Sequence, residues 1–198
     1  MDIVDAIYKR RSIRKFSEQE VSKELITKII HAATQAPSSK NRQPWRFVVV
    51  SSDTAKLKMH AAMKSGLERE EREPVLPGSK HYIDGARHTL KIMALAPFTI
   101  FVINPSCKYN AMPVDMEQQF YRMADLQSIG ASVQNMLISA ANLQLGTLWI
   151  CDFYFAYKEI CQFLETDEQV VAAISVGFPA ENPIPRPRKS VDDVTVWL

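Results

Sequence analysis

The chain has 198 residues, enough to bury a substantial core in one domain. Its formal charge is only +2, so no global field draws it to nucleic acid or to an anionic membrane. Its three cysteines, Cys107, Cys151 and Cys161, are odd in number and form no CxxC pair. That points away from a disulfide framework and toward a reducing, cytoplasmic setting. No signal-peptide core stands at the N-terminus, and no run approaches the ~20 apolar residues of a membrane span.

Residues 2–9 suit a short helix with Ile3, Val4 and Ile7 on one side. Residues 10–16 (RRSIRKF) read as extended. Ser17 to Glu20 has the form of a capping box for a helix that ends at Ala36-Pro37. A polar loop, Pro37 to Pro44, leads into a strand at Trp45 to Val50. Residues 53–66 suit a helix, and 67–80 read as a mobile, charged surface segment. A helix over 82–96 and a strand over Phe98 to Ile103 follow. Residues 104–120 look irregular, an insertion rather than a domain boundary. The longest helix is expected from Met123 to Leu143, buried on more than one side and stopped by Gly146. Then come a strand (Thr147 to Cys151), a helix (156–164), a strand (Val170 to Val176) and a proline-rich extended tail. Val191 to Leu198 could dock as a terminal strand or arm. Four or five strands alternating with helices predict one α/β or α+β domain over 1–198.

Two motifs stand out. In an extended Arg10-Arg11-Ser12-Ile13-Arg14, side chains i, i+2 and i+4 share a side. Arg10, Ser12 and Arg14 would then converge, and guanidinium forks with a hydroxyl suit a phosphate. A solvated basic turn fits the same spacing. The second motif, APSSKNRQPWRF, places hydroxyls and side-chain amides between a helix and a strand. These groups present donors and acceptors together, as the edge of a flavin does. A plain polar turn is the alternative there.

Taken in order, RRSIRKF, APSSKNRQPWRF, SIGASVQNMLISAANLQLGTLWI and PIPRPRKSVDDVTVW resemble the FMN-dependent nitroreductase family along nearly the whole chain. The resemblance implies an α+β sandwich, with a mixed, mostly antiparallel central sheet flanked by helices. It also implies a homodimer with shared active sites, bound FMN, and NADH or NADPH as a transient reductant in a ping-pong reaction. Nitroaromatics, quinones and similar electron-poor molecules would be the acceptors. Dehalogenation, dehydrogenation or a non-catalytic FMN-binding module are the alternatives.

By position, Arg10, Ser12 and Arg14 would hold the phosphate and ribityl chain, with Arg11 adjacent. Arg188, or alternatively Arg186, would return to the phosphate from the far end of the chain. Pro37, Ser38, Ser39 and Asn41 would contact the flavin across the dimer interface. Trp149, Ile150, Cys151 and Asp152 would lie over the ring, mainly through backbone groups, although many relatives carry Gly or Glu in this stretch. No GxGxxG is present, as expected if the nicotinamide only visits the flavin. No metal site and no catalytic side chain are expected, because the flavin carries the chemistry.

Overall fold

The computed structural model describes residues 2–75, 78–109, 112–113 and 115–198. The apolar run beginning at Phe98 forms β2 (Phe98–Lys108), which lies between β1 (Arg46–Val50) and β4 (Glu168–Gly177). β3 (Gly146–Ile150) completes the order β1-β2-β4-β3 at the edge. All three pairings are antiparallel, so the expected mixed character reduces to one parallel bridge between Ser12 and Thr147. Ile100, Val102, Ala172 and Ile174 face one core, and Phe101, Ile103, Val170 and Ala173 face the other. This alternation buries both faces of the sheet, so helices must cover each.

On one face lie α2 (Lys23–Thr34) and the 27-residue α5 (Met116–Asn142), with α1 (Ile3–Lys9) beside α5. On the other lie α3 (Asp53–Arg72), α4 (Ser79–Leu95) and α6 (Tyr157–Phe163). The result is the α+β sandwich that the family resemblance implied. Among the described residues no helix is long and apolar enough to cross a membrane.

Several expected boundaries shift, each for a physical reason. The cap of α2 is Ser22, whose Oγ accepts from the Leu25 N–H, and not Ser17. Val21, just before that cap, is buried in the same cluster as Ile26, four residues beyond it, which sets the entry angle of the chain. The charged segment after residue 66 continues α3 to Arg72, because Leu67 (0 % exposed) and Glu70 (1 %) are buried; residues 76–77 of that segment lie outside the described residues. β2 runs on to Lys108 and α5 starts at Met116, so much of the supposed insertion is regular; residues 110, 111 and 114 lie outside the described residues. Gln144, at φ 62°, ends α5 in place of Gly146. The Leu145 N–H reaches the Ala140 carbonyl (2.8 Å), and the Gln144 N–H reaches that of Ala141 (3.1 Å), which together close a Schellman turn.

Among the described residues, apolar surfaces at both chain ends stay open in the single chain. α1 exposes Ile3 (65 %), Val4 (52 %), Ile7 and Tyr8, while only its Ala6 is buried. The final residues, with Val196, Trp197 and Leu198 exposed, do not dock on their own chain.

Candidate functional site

The N-terminal segment runs along the outer edge of β3. The Ile13 N–H donates to the Thr147 carbonyl (2.9 Å), next to the Ser12–Thr147 bridge. Gly146 permits this approach, since a Cβ there would lie 2.8 Å from the Ile13 side chain. The C-terminal tail then zips onto the same segment. The Ser17 N–H donates to Phe178 (2.8 Å), the Ala180 N–H to Lys15 (2.9 Å), and Phe16 bridges Pro179. The Glu181 carboxylate accepts from the backbone N–H groups of Arg14 (2.5 Å) and Lys15 (3.2 Å).

These ties bring both ends of the chain to one cleft of about 810 Å³. Arg10, Arg11, Ser12 and Arg14 line one side, and Arg186 and Arg188 the other. Among the described residues, no carboxylate forms an ion pair with any of these five guanidiniums. Arg11 donates only to the carbonyls of Tyr8 (2.7 Å) and Arg10 (2.8 Å), Arg14 to that of Ser12 (3.3 Å), and Arg188 to that of Pro187 (3.4 Å). Burial and the neighbouring charges of Arg188 and Arg11 hold the Arg10 guanidinium below its ordinary value. Like charges crowded without counter-charge favour an anion in their midst.

The loop expected to share in the site lies elsewhere in the same chain. Pro37, Ser38 and Ser39 line a separate cleft of about 430 Å³ with Phe120, Met123 and Gln127 of α5. Asn41 does not line it, and its Oδ1 accepts from Gln43 Nε2 (3.2 Å). Lys40, Asn41 and Gln43 all have φ near +50°, a left-handed conformation that costs non-glycine residues free energy. Contacts to α5 hold that conformation. Arg42 donates twice to the Asp125 carboxylate (3.1 Å each), and the Ser39 N–H reaches Ser128 Oγ (3.4 Å). Lys40 donates to the Tyr121 hydroxyl (3.1 Å). Within the loop, Ser38 Oγ accepts from the Gln43 N–H (3.0 Å).

The sequence reading named neither Arg42 nor Asp125. The available signal was an acid in line with the buried stripe of α5.

Trp149 is partly exposed on β3, Ile150 is buried, and Cys151 is exposed at the strand end. None of these three, nor Asp152, lines either cleft. The Asp152 side chain accepts a hydrogen bond from Thr89 of α4 (2.6 Å), so it braces the scaffold and leaves its backbone for other work. Beyond Thr147 the outer edge of β3 has no strand partner among the described residues.

Burial and the charge of Asp152 push the Cys151 thiol up, and burial pushes Cys161 up to about 11. A raised thiol pKa means less thiolate at neutral pH. Cys161 is therefore expected to resist iodoacetamide at pH 8 in the native protein and to react fully in denaturant. Peptide mass mapping reads this directly, and rapid native labelling at Cys161 would contradict it.

Among the described residues, no group of three or more His, Cys, Asp or Glu side chains could hold a metal, and His81 and His88 join none.

Comparison with known proteins places this arrangement. The nitroreductase family model matches residues 7–178, so the chain belongs to the nitroreductase family. A protein of Methanothermobacter thermautotrophicus, provisionally named NADH dehydrogenase/NAD(P)H nitroreductase, is 31% identical over 92% of this chain and 80% of its own length. A BluB-like flavoprotein of Clostridium difficile superposes with a TM-score of 0.84 at 28% identity, covering 100% of this chain and 99% of the other. A provisionally named nitroreductase of Desulfovibrio desulfuricans, solved with FMN bound, superposes at 0.72 and 28% identity, covering 99% and 96%.

Proposed function

We propose that this chain is an FMN-dependent oxidoreductase. It takes reducing equivalents from NADH or NADPH and passes them, by a ping-pong mechanism, to a small electron-poor acceptor such as a nitroaromatic or a quinone. The observation that carries the reading is the cleft of unneutralised guanidiniums assembled from both ends of the chain. FMN bound to a relative of the same fold, and the nicotinamide in another relative's name, support it.

The residues fit the group. Arg10, Ser12, Arg14 and Arg188 would hold the phosphate, with Arg11 and Arg186 bordering it. The open backbone edge of β3 at Trp149, Ile150, Cys151 and Asp152 offers donors and acceptors to a planar ring. Bound FMN would supply the electron-carrying centre.

Pro37, Ser38, Ser39 and Asn41 would reach that ring from a second copy, making a homodimer with two shared sites. Support for this comes from the separation of the two clefts and from the exposed apolar residues beside them. Phe120 (57 %) and Met123 (51 %) rim the loop cleft, and the open faces of α1 and the tail would also be covered. A water-excluding second copy would shield the reduced site from solvent. The reduced thiols fit a cytoplasmic setting.

The test is an anaerobic titration of the full chain with FMN. Uptake should quench flavin fluorescence. NADH or NADPH should then bleach the flavin absorbance, and a nitroaromatic or quinone should restore it. Initial rates should give parallel double-reciprocal lines. A chain that takes up FMN but is not bleached is a binding module, and one that takes up none refutes the reading.

A further inference from the structure

A third cleft lies past the end of β3, next to Cys151, whose carbonyl accepts from the Tyr154 N–H (3.0 Å), but it is lined by none of the residues assigned above. β3 stops pairing at Ile150–Ala173, which leaves the first residues of β4 with a free edge. Two tyrosines occupy it. The Tyr157 hydroxyl accepts from the Val170 N–H (2.8 Å) and donates to the Val170 carbonyl (3.2 Å), and Tyr154 donates to the carbonyl of Val171 (3.3 Å). Their rings are parallel within 1°, with centroids 5.2 Å apart, and Phe153 stacks behind Tyr154 at 4.6 Å. This aromatic wall lines a cleft of about 590 Å³, with Glu70, Val75 and Gln169 among its other lining residues.

Gln169 is the unusual member. It is 8 % exposed, and its Oε1 is buried with no hydrogen-bond partner. A buried acceptor left unpaired is costly, and such groups regularly mark a missing partner. The two tyrosine hydroxyls already serve the β4 backbone. The Glu70 carboxylate is buried too, accepting from the Val75 N–H (2.8 Å) and from Arg69 (3.0 Å). Arg69, Arg122 and Lys158 line the cleft as well, so its charge does not choose the ligand; the requirement for a protonated, donor-bearing group comes from Gln169 Oε1, which can only accept.

We propose that this cleft is a binding site for a neutral planar arene bearing a hydrogen-bond donor, a phenol or an aminoarene. Its ring packs on the Tyr154–Tyr157 wall, and its O–H or N–H is donated to Gln169 Oε1. Flat rings pack well on such walls, and a site with an unmet acceptor discriminates strongly against a ring without a donor.

The probes are p-cresol and toluene, titrated into the full chain with and without saturating FMN and followed by ligand-observed NMR. p-Cresol is expected to bind with roughly tenfold higher affinity than toluene, the worth of one neutral hydrogen bond. Gln169→Leu should remove that preference and leave toluene binding unchanged. Val75→Trp, at a rim position 73 % exposed, should weaken both ligands without affecting FMN uptake.

Equal affinity for the two ligands, or p-cresol binding unchanged in either variant, overturns the proposal. So does p-cresol binding abolished by FMN, which would place the ligand at the flavin site. Asn104 Nδ2 is a second buried orphan, paired across the ladder with Gln169. If those two amides satisfy each other in solution, the preference for p-cresol is absent and the proposal fails by the same measurement.

Discussion

Replacing Arg14 and Arg188 together with alanine is expected to weaken FMN binding by about 100-fold or more, with little loss of fold stability. Each guanidinium would make charge-assisted hydrogen bonds to the phosphate, worth about 1.5–3 kcal/mol apiece. Two such losses come to about 3–6 kcal/mol, or roughly two to four orders of magnitude in affinity. The stability expectation follows from the ion pairs, since neither guanidinium is paired with a carboxylate among the described residues, and the Arg14 N–H keeps its bond to Glu181 in the alanine variant. Removing Arg188 also relieves the repulsion that depresses Arg10. Fluorescence titration and thermal melting of the flavin-free chain separate the two effects. An unchanged FMN affinity would remove the phosphate assignment, and a collapsed melting curve would make these arginines structural.

The second large effect is expected at Arg42, which touches none of the clamp. The Asp125 side chain is only 3 % exposed, and Arg42 is its ion-pair partner. Arg42→Ala leaves a buried carboxylate without its counter-charge. Breaking such a pair costs about 3–5 kcal/mol, and the lower end applies here because water can reach the partly open Arg42 side. That is a large share of a domain stability of about 5–15 kcal/mol.

The same change frees a loop in which Lys40, Asn41 and Gln43 are held left-handed. FMN affinity should therefore fall along with stability. Arg42→Lys should recover part of the stability but less of the loop geometry, since one ammonium cannot reproduce a two-pronged contact. The double change Arg42→Met with Asp125→Leu should restore stability without restoring the loop. Urea unfolding and FMN titration of the three variants check this. A stable Arg42→Ala protein with ordinary FMN affinity would contradict it.

Where a residue's fate depends on its near neighbours, the sequence was informative. The apolar spacing of α5 and the β-branched runs of β1, β2 and β4 carry their own periods. The capping error at α2 shows the limit. Ser17 and Ser22 are both competent caps, and tertiary burial of Val21 and Ile26 decides between them. The end of α3 was hidden because charged residues surround Leu67, which is buried in a cluster with Phe153, Ala156 and Ile160 of α6 and the turn before it. Gln144 defeated the expectation of a glycine stop because the Ala140 and Ala141 carbonyls are satisfied whichever side chain takes the left-handed position.

At the site, the convergence of Arg10, Ser12 and Arg14 was legible, and the structure does bring Arg186 and Arg188 to them; Arg11, which strict alternation puts on the opposite side, lines the same cleft. Pro37, Ser38 and Ser39 were expected to reach the flavin only across a dimer interface, and within one chain they line a separate cleft. The anchoring of Asp152 to Thr89 was hidden, since the two lie on elements 63 residues apart.

The zipper between the two chain ends has a kinetic meaning. The Arg14–Glu181 contact spans 167 residues, and the arginine cleft cannot exist until that loop has closed. Contacts of such separation form late, after local helices and hairpins are in place. A partly folded molecule therefore lacks the arginines of the tail, and if the cleft binds FMN as proposed, retained flavin would count only chains that have completed the whole fold. Occupancy would then act back on the equilibrium, since a ligand bound only by the finished form pulls the population toward it.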